Sequence, residues 1–290
     1  MENNRAQTAN GADTLEGAKA YLRRFFGYKE FRPAQEPVIK SLLAGQDTVA
    51  IMPTGAGKSI CFQIPALLSE GVAIVFSPLI SLMKDQVDAL VGQGVPAAFL
   101  NSTLAPREVA QRLDDAKKGR LRLLYVAPER IDDPWFSAAV AEMNVTLVAV
   151  DEAHCLSQWG HDFRPHYRAI APFITSLPRR PIVGAFTATA TQEVKDDIVR
   201  LLRLRAPAVH ISGFDRPNLF FDVRRGEDKK RVPAPLRRRP SRRVRHHLRR
   251  HAQGDRRRLR APEKEGRRRR PLPRGALRRG AARNAGGFPL

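Results

Sequence analysis

The chain has 290 residues, 42% of them hydrophobic, which is enough to build the core of one or two domains. Its formal charge of +22 is uneven: residues 1–223 carry 25 Lys and Arg against 24 Asp and Glu, whereas residues 224–290 carry 26 against 5. Cys61 and Cys155 are the two cysteines, too few for a disulfide framework or a cysteine-rich zinc site. The polar start resembles no signal peptide, and no apolar run reaches membrane-spanning length, which favours a cytoplasmic protein with no membrane partner.

Apolar runs alternate with helical patterns along most of the chain. Residues 1–14 are predicted to be disordered, residues 15–223 to form one lobe, and residues 224–290 to form a basic low-complexity tail. Helices are predicted at Leu15–Phe26, Phe31–Leu43, Lys58–Leu68, Leu79–Val91, Pro106–Lys118, Pro134–Glu142 and Thr191–Leu202. Strands are predicted at Asp47–Met52, Val72–Ser77, Ala97–Leu100, Leu121–Ala127, Val145–Val150, Ile182–Phe186 and Val209–Ser212. This alternation predicts an α/β fold, a parallel sheet with helices on both faces.

The segment MPTGAGKS at Met52–Ser59 follows the first predicted strand. A triphosphate needs many close donors, which glycine-rich backbone and the free N–H groups at the start of a helix supply. Lys58 provides a cation for the phosphates, and the Ser59 hydroxyl is a ligand for Mg²⁺. The alternative, a glycine-rich turn before a buried helix, is disfavoured because Lys58 and Ser59 follow an apolar strand. The remaining residues of the predicted cradle are Thr54, Gly55, Ala56 and Gly57.

The segment DEAH at Asp151–His154 follows the apolar run VTLVAV. A carboxylate at the carboxyl end of a parallel strand faces the crevice in which ligands bind. Asp151 is therefore predicted to hold Mg²⁺, through water, and Glu152 to polarise an attacking water as general base. Four letters are a weak motif alone, but their place after a strand and downstream of the phosphate cradle predicts an NTPase.

Residues 21–223 resemble the first motor lobe of RecQ-type DNA helicases, in superfamily 2. The motifs that carry the resemblance are, in order, YLRRFFGYKEFRPAQ, MPTGAGKS, SPLISLMKDQV, YVAPER, DEAHCLSQWGHDFRP, FTATAT and FDRPN. Its specificity for RecQ rests mainly on SQWGHDFRP and FGYKEFRPAQ. The resemblance implies a RecA-like lobe that uses ATP and Mg²⁺. It also implies 3′→5′ unwinding of DNA in recombination and repair, with single-stranded and partly duplex DNA as partners.

The same resemblance implies roles for residues around the nucleotide and the nucleic acid. Tyr28 would stack on adenine, while Arg32 and Gln35 would read its polar edge; the alternative is an ordinary helix start with a core aromatic. Groups near Ser77 would touch the phosphates of a single strand. Lys84 would contact the same strand, or would be a solvated helix lysine.

The loop Leu156–Pro165 packs aromatic and basic residues directly after the metal carboxylate. In the family, such a loop senses single-stranded DNA and reports it to the ATP site, since aromatic rings stack on unpaired bases. Aromatic core packing is the alternative, but the glycine, aspartate and arginine of this loop make it a poor core segment. The residues assigned to DNA binding here are Trp159, His161, Phe163 and Arg164.

His154 is predicted to hydrogen-bond Thr187 or Thr189 of FTATAT, which would link the γ-phosphate site to the DNA side. An isolated histidine is more often structural, but its place in the DEAH segment favours the functional role.

The resemblance ends near Lys230, where a second RecA-like lobe would be expected to begin. Residues 231–290 instead hold 21 Arg and one Lys, with no Ile, Tyr, Trp, Met, Cys or Thr. Since arginine, proline, alanine and glycine share GC-rich codons, one hypothesis is a GC-rich gene read out of frame after codon 231. The rival is a genuine basic arm that binds phosphates through counterion release. Either tail is predicted to be disordered, because it cannot bury enough apolar surface.

Three functions stay open at this point. The favoured one is a RecQ-type helicase lobe that hydrolyses ATP poorly here, since a second lobe would supply an arginine finger. A non-catalytic nucleic-acid-binding remnant acting through the basic tail is the second, although intact Lys58, Asp151 and Glu152 argue against it. An RNA helicase is the third, which the SQWGHDFRP loop disfavours.

Overall fold

The computed structural model describes residues 11–160 and 162–213, which lie within one compact unit of the chain, Met1–Phe220. The predicted basic tail at residues 224–290 and the FDRPN motif lie outside the described residues, as does the predicted disorder of residues 1–10. The first helix begins at Gly11, so residues 11–14, predicted to be disordered, are helical.

Seven strands and eight α-helices alternate along the described residues. The helices are α1 (Gly11–Tyr21), α2 (Gln35–Leu43), α3 (Lys58–Leu68), α4 (Ile80–Gly92), α5 (Pro106–Lys117), α6 (Pro134–Ala141), α7 (Ile170–Ser176) and α8 (Gln192–Leu201). The strands are β1 (Thr48–Ile51), β2 (Val72–Phe76), β3 (Ala97–Leu100), β4 (Leu123–Val126), β5 (Val145–Val150), β6 (Ile182–Thr187) and β7 (Ala208–Ile211). All pairings are parallel, in the order β3-β4-β2-β5-β6-β1-β7, so the predicted α/β class and parallel sheet are confirmed.

Strands β1 to β6 are mostly buried on both faces of the sheet, whereas the edge strand β7 is partly exposed. Successive strand residues point to opposite faces. In β1, Val49 and Ile51 join one apolar cluster and Ala50 joins the other. The first cluster contains side chains from α5 to α8, and the second contains side chains from α1 to α4. The sheet is therefore the middle of three layers, as its continuous apolar strands predict.

Helix α7 is the element that the sequence pattern missed, because its seven residues include Pro172 and too few turns to show helical periodicity. Aromatic contacts hold it: the Phe173 ring lies 5.4 Å from that of Phe76 and 5.6 Å from that of Phe136. Truncating Phe173 to alanine would cost about 3–5 kcal/mol of stability. Helix α2 also begins later than predicted, at Gln35, because the Arg32 N–H binds the Gln35 side chain at 2.9 Å in the turn before it.

The amino end of the sheet is closed around Asp47, the residue that precedes β1. This side chain is 3% exposed and accepts two hydrogen bonds from Arg180, at 2.5 and 3.1 Å. The backbone N–H groups of Val183 and Arg205 donate to it at 3.0 and 2.7 Å. Since these donors precede β6 and β7 or begin them, one carboxylate fixes three neighbouring strands.

The carboxyl end of the sheet carries the sequence motifs. Strands β2, β5, β6 and β1 are neighbours in that order. Thr187 is the last residue of β6, and the segments that follow the other three strands contain Ser77, Asp151 and the loop Met52–Ser59. Segments far apart in sequence are therefore gathered along one edge by strand order. Within residues 11–213, no helix is long and apolar enough to cross a lipid bilayer.

Candidate functional site

The loop between β1 and α3 is shaped by two glycines. Gly55 and Gly57 have φ of +81° and +83°, a left-handed conformation that favours glycine. The Gln35 amide Nε2 donates to the carbonyls of Ala56 and Gly57 at 3.3 and 3.1 Å. A Cβ on Gly57 would lie 2.3 Å from this amide, so a larger residue there would force the Gln35 side chain to move.

Helix α3 begins at this loop with Lys58. Its N-cap residue, Gly57, supplies no side-chain cap, so the N–H groups of its first turn are open to an anion. The Lys58 Nζ donates to the Met52 carbonyl at 3.2 Å, which holds the ammonium group against the loop. Ser59 follows in the first turn and is partly buried. The donors and the cation here fit the phosphates of a nucleotide.

Asp151 directly follows β5 as a buried carboxylate, 4% exposed. Burial, and then repulsion from Glu152, raises the pKa of its carboxyl to about 6, although the Glu152 N–H donates to it at 3.0 Å. A divalent cation would relieve the cost of this buried charge. Among the described residues, no group of three or more His, Cys, Asp and Glu could hold a metal.

Glu152 has a strained backbone, with φ of +47°. A left-handed conformation costs a non-glycine residue about 1–2 kcal/mol, so the surrounding contacts must hold it. The Tyr167 hydroxyl donates to the Asp151 carbonyl, directly before this residue, at 3.0 Å. The Glu152 carboxylate itself lies 3.2 Å from the His154 Nδ1. The backbone conformation and the nearby His154 ring therefore both restrict where the Glu152 side chain lies.

A hydrogen bond joins the DEAH segment to the end of β6. The His154 Nδ1 lies 3.0 Å from the Thr187 Oγ1, and the Thr187 hydroxyl donates to the Thr189 carbonyl at 3.1 Å. Because that hydroxyl proton is committed to Thr189, its oxygen accepts from His154, which requires the proton on Nδ1. Thr187 is buried and Thr189 is exposed, so the bond runs from the interior towards the surface.

The segment after the DEAH residues displays Trp159, which is 79% exposed. Its backbone N–H donates to the Ser157 hydroxyl at 3.1 Å, and that hydroxyl donates to Asp197 of α8 at 2.7 Å. The hydrogen bond from Ser157 and then the one from Arg200 keep the pKa of the Asp197 carboxyl below its usual value. The loop backbone is therefore anchored while its aromatic tip stays accessible.

Phe163 and Arg164 lie on the other arm of this loop. The Arg168 guanidinium lies 5.1 Å from the centre of the Phe163 ring. The Arg164 Nη1 donates to the Pro78 carbonyl at 2.7 Å, while its Nε and Nη2 bind Asp162. Arg164 is thus engaged within the protein. His161, assigned to the same surface, lies outside the described residues.

The predicted adenine contacts lie beside the loop between β1 and α3. Tyr28 is 55% exposed, and the Arg32 Nη1 donates to the Gly55 carbonyl. Gln35 is buried and its amide holds the loop, as described above. An adenine-reading role for these residues stays a prediction, and Arg32 and Gln35 presently bind backbone carbonyls of the loop.

Ser77 differs from expectation because its side chain is fully buried. Its hydroxyl has no hydrogen-bond partner among the described residues, so direct contact with a phosphate would need local opening. The exposed neighbours are Leu79 and Ile80, and Lys84 is exposed on α4. Contacts in this region would therefore come from residues that follow Ser77.

Sequence reasoning missed Asp47, Ser157 and Tyr167. Each acts through a partner at least sixteen positions away, which no local pattern reveals.

Comparisons with known proteins agree on the family. A profile of the DEAD/DEAH box helicase family matches residues 32–197. The chain is 50% identical over 218 residues to the ATP-dependent DNA helicase RecQ of Bacillus subtilis, covering 75% of this chain and 37% of that protein. It is 49% identical over 202 residues to the RecQ of Pasteurella multocida, covering 70% and 32%. The chain thus spans about a third of the length of these curated relatives.

Solved structures support the fold. A hypothetical ATP-dependent RNA helicase from Sulfolobus tokodaii aligns with a TM-score of 0.52 and 20% identity, over 68% of this chain and 56% of that one. The DNA-bound DUF1998 helicase MrfA aligns with a TM-score of 0.55 and 17% identity, over 68% and 29%. At this identity the likeness concerns fold alone, and the predicted RecA-like helicase lobe is confirmed.

Proposed function

The chain belongs to the DEAD/DEAH box helicase family, and we propose that it is the first motor lobe of a RecQ-type ATP-dependent DNA helicase. One observation carries the proposal. Lys58 follows β1, Asp151 and Glu152 follow β5, and Thr187 is the last residue of β6. These three strands lie side by side with β6 in the middle. A phosphate cradle, a buried carboxylate and the His154 bond therefore share one edge of the sheet, as coupled hydrolysis requires.

Each group has a role that its geometry supports. Lys58 and the first turn of α3 would bind the β- and γ-phosphates of ATP, while Ser59 and Asp151 would hold Mg²⁺. When bound, Mg²⁺ would neutralise phosphate charge. Glu152, aimed by its strained backbone, would accept a proton from the attacking water.

Single-stranded and partly duplex DNA are the proposed partners, and unwinding with 3′→5′ polarity in recombination and repair is the proposed activity of the whole protein. The similarity to proteins named DNA helicases supports DNA as the substrate. The exposed Trp159 supports contact with unpaired bases, since stacking on an aromatic ring is worth about 1–3 kcal/mol per base. A cytoplasmic location belongs to the same proposal.

Binding of Mg²⁺ with a non-hydrolysable ATP analogue tests the nucleotide site. We expect Lys58→Ala to weaken binding at least tenfold, whereas Lys84→Ala, a control on the exposed face of α4, should leave it unchanged. Equal binding by both variants would refute the nucleotide role.

The nucleic-acid side is tested with oligo(dT) and oligo(U). We expect Trp159→Ala to weaken oligo(dT) binding by about 5- to 150-fold, the equivalent of 1–3 kcal/mol. A preference for oligo(U) would favour the RNA helicase alternative. Binding that collapses with salt and ignores both Trp159→Ala and Lys58→Ala would favour the basic-tail alternative, which the 26 Lys and Arg of residues 224–290 support.

A further inference from the structure

One buried hydroxyl connects the exposed loop to the DEAH turn. Tyr167 is fully buried, and its hydroxyl donates to the Asp151 carbonyl at 3.0 Å. It lies on the 3₁₀ turn Pro165–Ala169, directly after the loop Leu156–Pro165. Tyr167 therefore joins the end of one functional segment to the start of the other.

The carbonyl that Tyr167 binds belongs to the peptide that enters the strained residue. The Asp151 N–H donates to the Phe76 carbonyl at 2.8 Å, so the other side of Asp151 is fixed by β2. Glu152 follows with φ of +47°. If the Tyr167 bond were lost, this peptide could rotate and let Glu152 relax to an ordinary conformation. Its carboxylate would then leave the direction set by the present geometry.

Tyr167 is also connected to the loop by short contacts. Its N–H donates to the Arg164 carbonyl at 3.0 Å, and the Arg164 N–H donates to the Cys155 carbonyl at 2.9 Å. The next residue, Arg168, covers the Phe163 ring. A ligand that displaces Phe163 or the Arg164 side chain would therefore shift the 3₁₀ turn that contains Tyr167, and with it the Tyr167 hydroxyl.

We propose that Tyr167 is a positioning residue through which nucleic acid on the loop sets the orientation of Glu152. The inference rests on the proposed function, because it assumes a nucleotide at Lys58 and single-stranded DNA at Trp159. It adds a named side chain and hydrogen bond by which the two sites influence each other. The coupling must be reciprocal, since each ligand changes the affinity of the other by the same factor.

The chain has two tryptophans, which makes the loop easy to follow. In a Trp135→Phe background, Trp159 is the single tryptophan and reports on the loop by its fluorescence. The affinity for Mg²⁺ with a non-hydrolysable ATP analogue is then measured with and without oligo(dT). We expect oligo(dT) to change this affinity about fivefold or more, which is within the usual range of coupling between sites. The analogue should also change the Trp159 emission.

Adding Tyr167→Phe should reduce the coupling factor to about one and remove the emission change, while each ligand alone binds within about twofold of the parent. A merely structural role for Tyr167 would weaken the binding of each ligand alone, instead of removing only the coupling between the two ligands. Tyr125→Phe is the matched control: it removes another buried tyrosine hydroxyl, bound to Gln63 and Gln86 at 2.9 Å, and should keep the coupling. Thermal unfolding confirms that all variants are folded at the assay temperature.

Coupling that survives in Tyr167→Phe, or that is equally lost in Tyr125→Phe, would overturn this inference alone. A coupling factor of one in the Trp135→Phe parent would overturn it too. Failure of that parent to bind the nucleotide analogue would overturn the proposed function and this inference together.

Discussion

Two aspartates at opposite ends of the sheet are almost equally buried, but their carboxylates have different partners. Asp47 is 3% exposed and Asp151 is 4% exposed. Asp47 receives two hydrogen bonds from Arg180 and two from backbone N–H groups. Asp151 receives one from the Glu152 N–H among the described residues, and an acidic neighbour raises its pKa further.

The difference shows that burial alone does not say what a carboxylate does. A buried charge with several hydrogen-bond donors closes a structure, whereas a buried carboxylate with an acidic neighbour is costly and gains from binding a cation. The strained Glu152 belongs to the second kind of site, where stability is lower and chemistry is possible. The amino end of the sheet therefore stabilises the fold, whereas the carboxyl end can bind a ligand.

The largest effect should come from Glu152→Gln at the carboxyl end. Loss of a general base lowers turnover by about 10²- to 10⁴-fold, while the neutral amide leaves nucleotide binding intact. Steady-state release of phosphate, measured beside analogue affinity, checks this. Turnover within twofold of the parent would remove Glu152 from the chemistry.

Asp47→Ala should act on stability instead. It leaves the Arg180 guanidinium and two N–H groups without their acceptor, at a cost of about 3 kcal/mol in the free energy of unfolding. Urea denaturation measures this loss. Nucleotide affinity of the folded fraction should not change; a weaker affinity would mean that the two ends of the sheet are not independent.

Asp151→Asn should have the smallest effect on stability, and with the opposite sign. It removes a desolvated charge beside Glu152 while its side-chain oxygen can still accept from the Glu152 N–H, so we expect a gain of about 1 kcal/mol. The measurement is urea denaturation in the presence of a chelator, with Asp47→Asn as the control that should lose stability. A loss in Asp151→Asn as large as in the control would break the comparison.

Local pattern was sufficient for most of the fold and for the pieces of the site. Strands β3 and β5 begin and end where their apolar runs predict, and α3 begins at Lys58 as a glycine loop followed by a helix predicts. Helix α7 was missed because its order comes from Phe76 and Phe136 rather than from its own sequence. Tertiary contacts, rather than the helix propensity of its own residues, stabilise this helix.

The links within the site were harder to predict than its members. Strand order brings Thr187 beside His154, and the bond predicted between DEAH and FTATAT is present. Ser77 was assigned an accessible role, but its burial depends on layers that cover β2 from both sides. The Tyr167 bond depends on how the loop folds back over sixteen residues, which spacing does not reveal.

The position of β1 has a consequence for how the chain acquires its structure. Strand β1 is synthesised early, but its neighbours in the sheet are β6 and β7. Arg180 and Arg205, which donate hydrogen bonds to Asp47, are synthesised 133 and 158 residues after it. At about 5–20 residues per second of synthesis, strand β1 stays without these partners for about 7–30 s. Pairing between strands far apart in sequence slows folding, because the chain loses conformational entropy in closing the loop before the native contacts compensate for that loss. The loop Met52–Ser59, which follows β1, therefore depends on pairing with strands that are synthesised much later.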